Sequence, residues 1–126
     1  MNYTIEKSDQ YSLIKTDLTL LDKNSALKLI EKVRHEVASS SKYVIVNIDG
    51  VKECNADATR ELINLGLELH ENNGMLIVTN AEDSFTRLFA KADITFIATD
   101  VEAVDFVFMD QLEKQFLNMG DDANQA

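Results

Sequence analysis

Two apolar segments without alternation constrain the fold of this chain most strongly. Residues Tyr43–Ile48 and Met75–Thr79 are rich in β-branched side chains, and neither segment alternates between apolar and polar positions. A strand with this pattern is covered on both faces, as the central strands of parallel sheets are. The two segments therefore predict an α/β fold in which helices cover both sides of a mostly parallel central sheet.

The other segments supply an N-terminal pair of short strands, one last strand and about four helices. Residues Tyr3–Ile5 and Tyr11–Leu13 alternate around a polar break, which predicts two antiparallel strands, and Ile94–Ile97 predicts the last one. The first predicted helix is capped by Asn24, and its inward residues are Ala26, Leu29, Ile30, Val33 and Val37. The second runs from about Ala56 to a left-handed stop at Asn72-Asn73-Gly74, with Ala58, Leu62, Leu65 and Leu69 facing inward. A shorter third helix turns Phe85, Leu88, Phe89 and Ala92 inward, and the last, capped by Asp100, turns Val101, Val104, Phe108 and Leu112 inward.

The final helix carries more apolar side chains than one-sided packing on a sheet requires. Besides its predicted inward residues it has Phe106, Met109, Phe116 and Met119. Core packing accounts best for Phe116, whereas Phe106 and Met109 are expected to form the surface of a homodimer. We expect one domain over residues 1–119 and a polar, frayed tail over residues 120–126.

Charge and cysteine content exclude several classes of partner. The chain has 12 basic and 22 acidic residues, a net charge of −10, and residues 100–126 hold one base and seven acids. Such a chain repels nucleic acid and anionic membranes. The one cysteine, Cys54, rules out an intrachain disulfide, and no apolar run reaches the ~18 residues of a membrane span. With no signal-peptide pattern at the start, these features predict a cytoplasmic protein.

No arrangement of residues points to catalysis, a metal site or a cofactor. The four glycines stand far apart, so none forms a phosphate-binding loop. His35 and His70 fall on the outer faces of two different predicted helices, away from any serine or cysteine nucleophile. Cys54 is expected to be a small, inert thiol in the core. We therefore expect a non-enzymatic protein.

A phospho-accepting receiver domain is one alternative from another class. Asp49, after a central strand, and Thr79 would fit two of its positions. Two other positions fail, because Lys7-Ser8-Asp9 stands where an acidic pair for magnesium is needed and Ala98-Thr99-Asp100 stands where a lysine is needed. This reading is the weaker one.

The strand, loop and helix from Tyr43 to Asn72 resemble the central unit of the STAS domain, the family of bacterial anti-sigma factor antagonists. In that family an Asp-Ser-Ser/Thr-Gly tetrapeptide begins the helix, and here Asn55-Ala56-Asp57-Ala58 takes its place. The resemblance extends to about residue 112. The family's Gly-Glu-Leu-Asp turn before its first helix appears as Asp17–Leu20, without the glycine or the final acid.

The resemblance implies a regulatory module that binds a protein partner such as an anti-sigma factor kinase. In the family, that kinase phosphorylates the first serine of the tetrapeptide, but Ala56 stands at this position and has no hydroxyl. The resemblance assigns partner binding to the loop and helix start 53–60, namely to Glu53, Asn55, Ala56, Asp57, Thr59 and Arg60. Asn55 and Asp57 suit helix capping equally well, so capping alone is a second interpretation. A third is a scaffold or regulatory subunit of a transporter or a stressosome-like assembly.

Overall fold

The computed structural model describes residues 3–125, with side chains as far as residue 117, as a five-stranded sheet covered by helices on both faces. The strand order is β1-β2-β4-β6-β7, and β3 and β5 form a separate two-stranded sheet. In chain order the elements are β1 (Tyr3–Lys7), β2 (Ser12–Thr16), β3 (Leu20–Leu21), α1 (Lys23–Ser39), β4 (Tyr43–Asn47), β5 (Glu53–Cys54), α2 (Ala56–Glu71), β6 (Met75–Thr79), α3 (Asp83–Leu88), β7 (Thr95–Ile97) and α4 (Asp100–Gln125).

The two apolar segments form the centre of the sheet, as predicted. β4 lies between β2 and β6 and is parallel to both, with Val44 opposite Leu76 and Val46 opposite Val78. β1 and β2 form the predicted antiparallel pair at one edge. The predicted fold class, with its N-terminal strand pair and four helices, is confirmed.

Alternate residues of the central strands enter two separate cores. On one face, Val44, Val46 and Leu76 pack with residues of α1 and α2, and Phe85 of α3 joins them. On the other face, Ile45 and Ile77 pack against Ala103 and Val107 of α4, which covers that face by itself. Both faces are covered, which explains why β4 and β6 are apolar along their length, with polar Asn47 and Thr79 only at their ends.

The cap of the first helix differs from the prediction. Asp22, rather than Asn24, is the N-cap of α1: its Oδ1 accepts a hydrogen bond from the Ser25 backbone N–H at 2.8 Å, and Ser25 Oγ accepts from the Asp22 N–H at 3.0 Å. These bonds to Ser25 hold the pKa of Asp22 below its ordinary value. Asn24 follows two residues later, inside the helix, because β3 ends only at Leu21.

The predicted inward face of α4 is wrong except for Val104, which is partly buried and packs against the core. Val101, Phe108 and Leu112 are 73%, 46% and 61% exposed, and Ala103 and Val107 fill the core in their place. Phe116, expected in the core, is 73% exposed. Leu88 of α3 is likewise exposed, at 49%, while Phe85 and Phe89 are buried as predicted.

Polar contacts to the sheet fix the rotation of α4. Thr99 caps the helix instead of Asp100, since Thr99 Oγ1 accepts the Glu102 N–H at 3.2 Å. Asp100 instead accepts hydrogen bonds from Thr79 Oγ1 at 2.5 Å and from Asn47 Nδ2 at 2.9 Å. The hydroxyl of Tyr43 lies 2.7 Å from Asp110 Oδ2.

These hydrogen bonds decide which side of α4 faces the sheet, a choice that the apolar pattern alone does not make. Thr79 is fully buried, so a rotation of α4 that buried its larger apolar residues would leave the Thr79 hydroxyl without its acceptor, Asp100. The predicted tail from residue 120 and the side chain of Met119 lie outside the described side chains, and both stay predictions. Among the described residues, no helix is long and apolar enough to cross a membrane.

Gly66 gives the fold a testable constraint. A Cβ at this position would lie 2.6 Å from the Asp93 carbonyl oxygen and 2.7 Å from Ile94 Cγ1, in the segment that leads into β7. Gly66→Ala should lower the free energy of unfolding by about 1–3 kcal/mol through overpacking, although alanine favours a helix by about 1 kcal/mol. Urea denaturation measures this, with Asn64→Ala, at an exposed site on the same helix, as the control for propensity. A stabilised Gly66→Ala variant would contradict the close approach.

Candidate functional site

The start of α2 is held in place by the small β3–β5 sheet. Leu20 pairs with Glu53 and Leu21 with Cys54 in parallel register, and the Asn55 N–H donates to the Leu21 carbonyl oxygen at 3.0 Å. Sequence reasoning treated residues 49–55 as a plain loop, because two-residue strands have too little pattern to detect. Their pairing attaches the beginning of α2 to the segment that precedes α1.

A tight turn leads from the central strand β4 to the small β3–β5 sheet, termed here the β3–β5 clamp. Gly50 has φ +93, a left-handed conformation in which glycine carries no steric penalty. The Val51 N–H then donates to the Ile48 carbonyl oxygen at 3.0 Å, and the Val51 side chain is buried in the core. The path from β4 to α2 is therefore set by backbone bonds and one apolar anchor.

Asn55 caps the helix while remaining exposed. Its Oδ1 accepts the Ala58 N–H at 2.9 Å, and the capping part of the prediction is confirmed. Asp57 lies in the first turn, where the helix dipole favours an acid, and its carboxylate pairs with Arg60 at 3.4 Å. Because both members of this pair are exposed, it contributes little to stability and leaves both charges available to solvent.

Ala56 is the first residue of α2 and its side chain is exposed. It presents only a methyl group where the resemblance would place a phosphorylatable serine. The nearest hydroxyl on the helix, that of Thr59, donates to the Asn55 carbonyl oxygen at 2.9 Å and lies 3.4 Å from Cys54 Sγ. Thr59 thus closes the first turn of the helix.

An open groove runs beside the helix start, between the β3–β5 sheet and α3. Exposed Leu20 and Leu88, at 42% and 49%, line it, and Cys54 and Asn55 form its wall. Lys52 crosses its end and pairs with Glu82 at 2.7 Å. A second shallow depression continues past Cys54 and Leu88 along Ala56, Thr59, Arg60, Ile63 and Asn64.

Of the predicted site residues, the structure brings Ala56, Asp57, Thr59 and Arg60 together on one exposed helix start, with Glu53 and Asn55 on the strand and cap before it. Sequence reasoning missed Leu20, Leu88 and the Lys52–Glu82 pair. Leu88 was taken as a core residue because it has the same helical spacing as Phe85. The packing of α3 in the folded chain leaves Leu88 exposed, and helical spacing alone does not reveal this.

Other residues of interest in the sequence lie elsewhere. Asp49 is exposed in the turn after β4, and His35 and His70 are exposed on α1 and α2. Among the described residues, no three acidic, histidine or cysteine side chains stand close enough to hold a metal ion. Asp22, directly after β3, places an acid at the turn before the first helix, two residues beyond the segment Asp17–Leu20.

The fold can now be compared with those of known proteins. No family model matches the chain, and no curated protein matches it in sequence. Among solved structures it is similar to the anti-sigma factor antagonist SpoIIAA in its unphosphorylated form, at 17% identity and TM-score 0.67, over 84% of this chain and 97% of that one. A variant of RsbS from Moorella thermoacetica matches at 16% identity and TM-score 0.68, over 90% and 99% of the two chains.

A third similarity is to a much longer protein. The murine Solute Carrier 26 anion transporter, family member A9, matches at 12% identity and TM-score 0.67, over 82% of this chain and 18% of the transporter. At these identities the comparisons establish the fold. The chain has the SpoIIAA-like fold of STAS domains, as the resemblance in the sequence implied.

The thiol of Cys54 offers a test of the groove's geometry. Cys54, expected in the core, is only partly buried, yet this burial raises the pKa of its thiol above the ordinary value and outweighs the contact with the Thr59 hydroxyl. A raised pKa leaves less thiolate at neutral pH, so iodoacetamide should alkylate Cys54 more slowly than an exposed thiol, with a higher pH midpoint. The control is Cys54→Ser combined with Ala90→Cys, which moves the thiol to an exposed site. A midpoint for Cys54 at or below that of the control would contradict this burial.

Proposed function

We propose that this chain is a non-catalytic regulatory module that binds a protein partner through the surface from Glu53 to Arg60, termed here the 53–60 surface. One observation carries the proposal: an exposed, rigidly held helix start lies beside an apolar groove. Its backbone is fixed by the β3–β5 clamp and the Asn55 cap, so a partner meets a preformed surface at low entropic cost. Leu20 and Leu88 add apolar area that the fold itself does not use.

The partner we propose is an anti-sigma factor with kinase-like character, in a pathway of bacterial transcription regulation in the cytoplasm. SpoIIAA, a structure of the same fold, is an anti-sigma factor antagonist, and this similarity supports the assignment. Glu53 and Asp57 place two exposed carboxylates on the 53–60 surface. Acids there favour a basic docking surface, so binding should weaken as salt rises.

The module we propose acts without serine phosphorylation at position 56. Phosphate would add close to two negative charges at a helix start, which suits the helix dipole and alters a docking surface. Ala56 removes that switch, and Asp57 supplies a single permanent charge one residue on. The interaction is therefore controlled by something other than modification of this position.

Phosphorylation itself can be measured directly. Incubated with the cognate kinase and ATP, the wild-type chain should gain no phosphate between residues 53 and 60. Ala56→Ser should become a substrate, because position 56 is exposed and its neighbours need not move. Mass spectrometry of the tryptic peptides gives the result, and the serine variant shows that the kinase is active. Phosphate on the wild-type 53–60 peptide would disprove the absence of the switch.

Partner binding can be tested with variants that reverse one charge. Asp57→Arg should weaken capture of a small ATP-binding kinase from the source cell by at least about tenfold, because it places a cation at the positive end of α2 and within the 53–60 surface. Glu71→Arg, an equal charge change at an exposed site at the other end of α2, is the matched control. Equal capture by wild type and Asp57→Arg would contradict the assignment of the surface.

A second candidate is a regulatory or scaffold subunit of a transporter or stressosome-like assembly. The observation that favours it is the fold shared with part of an anion transporter. In this case the chain should co-purify with a membrane complex or a large particle. Size-exclusion chromatography of the tagged chain from the source cell separates this outcome from a small complex with a kinase.

A further inference from the structure

Among the described residues, α4 carries more exposed large apolar side chains than any other helix or strand. Met109, Leu112 and Phe116 are 67%, 61% and 73% exposed, and Phe106 and Phe108, at 38% and 46%, lie beside them. We call these five residues the α4 seam. It lies on the sheet face opposite α1, α2 and α3, away from the 53–60 surface.

The seam has the spacing of a helix-pairing surface. Met109, Leu112 and Phe116 follow one another at intervals of three and four residues, which places them in one stripe along the helix. Phe106 and Phe108 fall on the two sides of this stripe, where residues flank the contact of paired helices. A stripe of this kind fits a second helix better than it fits a flat surface.

The helix cannot turn the seam inward to bury it. Asp100 is held by Thr79 and Asn47, and farther along Lys114 Nζ lies 2.6 Å from the Tyr43 hydroxyl. Gln111 Nε2 donates to the Gln10 carbonyl oxygen at 2.9 Å between them. Contacts at both ends of the packed segment therefore keep the seam facing outward.

The helix is also longer than the sheet it covers. Its 26 residues extend about 39 Å, whereas a five-residue strand extends about 17 Å. Lys114 makes the last contact with the sheet that the described side chains show, and the helix continues to Gln125. The seam thus runs along a helix that continues past the body of the domain.

Exposed acids lie beside the seam and set how salt should act on two copies. Asp100 and Asp110 face the sheet and are bonded there, whereas Glu102, Asp105 and Glu113 are exposed. Asp105 lies one turn before Met109 on the same stripe. Two copies packed along the seam would bring these acids near one another, a repulsion that salt screens.

The area of the seam matches what a dimer needs. With aromatic side chains of about 150–250 Å² each, its exposed parts amount to roughly 600 Å² per chain, or about 1,200 Å² for two copies. Specific interfaces begin near that size. We propose that the α4 seam is a homodimer interface in which Met109, Leu112 and Phe116 of two chains pack against each other.

Sedimentation velocity of the full chain over a range of concentrations tests the proposal. The wild type should sediment as a monomer–dimer equilibrium with a dissociation constant in the micromolar range. Leu112→Glu should weaken the dimer by at least about tenfold, since it places a charge at the centre of the seam. The control is Leu27→Glu, the same change at an exposed leucine of α1, and circular dichroism checks that each variant folds.

Salt gives a second readout. Each chain carries a net charge of −10, so salt screens repulsion between two copies and should leave the dimer as tight or tighter. A wild type that stays monomeric at the highest concentration would overturn the proposal. So would a dimer that survives Leu112→Glu, a dimer lost equally in Leu27→Glu, or one that weakens as salt rises.

Discussion

Burial of the central strand pair on both faces is the constraint on which the structure depends. All residues of β4 and β6 are buried apart from the partly exposed Asn47 and Met75 at the strand ends, so helices must cover each side of the sheet. Three helices meet that need on one face, and α4 alone meets it on the other. The carboxyl end of β4 must then lead out to α2, and the β3–β5 clamp fixes where that helix begins.

The contrast between α2 and α4 shows what hydrophobic pattern can predict. Ala58, Leu62 and Leu65 are among the residues that α2 buries, as expected, because apolar packing decides which face turns inward. For α4 the same reasoning failed, since Asp100 and Asp110 bond to the sheet and set the rotation. Those bonds join residues far apart in sequence, and no local pattern reveals them.

The candidate site was predictable to a similar degree. The resemblance to STAS domains pointed to the proposed 53–60 surface, and local chemistry predicted Asn55 as a cap. The groove beside it could not be foreseen, because it depends on Leu20 of β3 and Leu88 of α3 standing on either side of Cys54. Short strands and short helices carry weak patterns, and their exposure is decided by tertiary packing.

The two proposed surfaces lie on opposite faces of the sheet. A partner at the start of α2 and a second copy at α4 would not compete for the same residues. Ala56 makes the first surface independent of serine modification at that position. Control would then rest on the availability of the partner or on assembly of the chain.

Amide hydrogen exchange, compared between the free chain and its complex with the captured partner, tests the central claim most directly. The N–H groups of Ala56 and Asp57, in the first turn of α2, have no partner within the helix, whereas that of Ala58 is bonded to the Asn55 side chain. The two N–H groups without a helical partner should therefore exchange readily in the free chain. The account predicts that partner binding slows exchange in residues 53–60 and in the adjoining α3, Asp83–Leu88. Unchanged exchange in these segments, with protection confined to α4 or the β1–β2 edge, would contradict it.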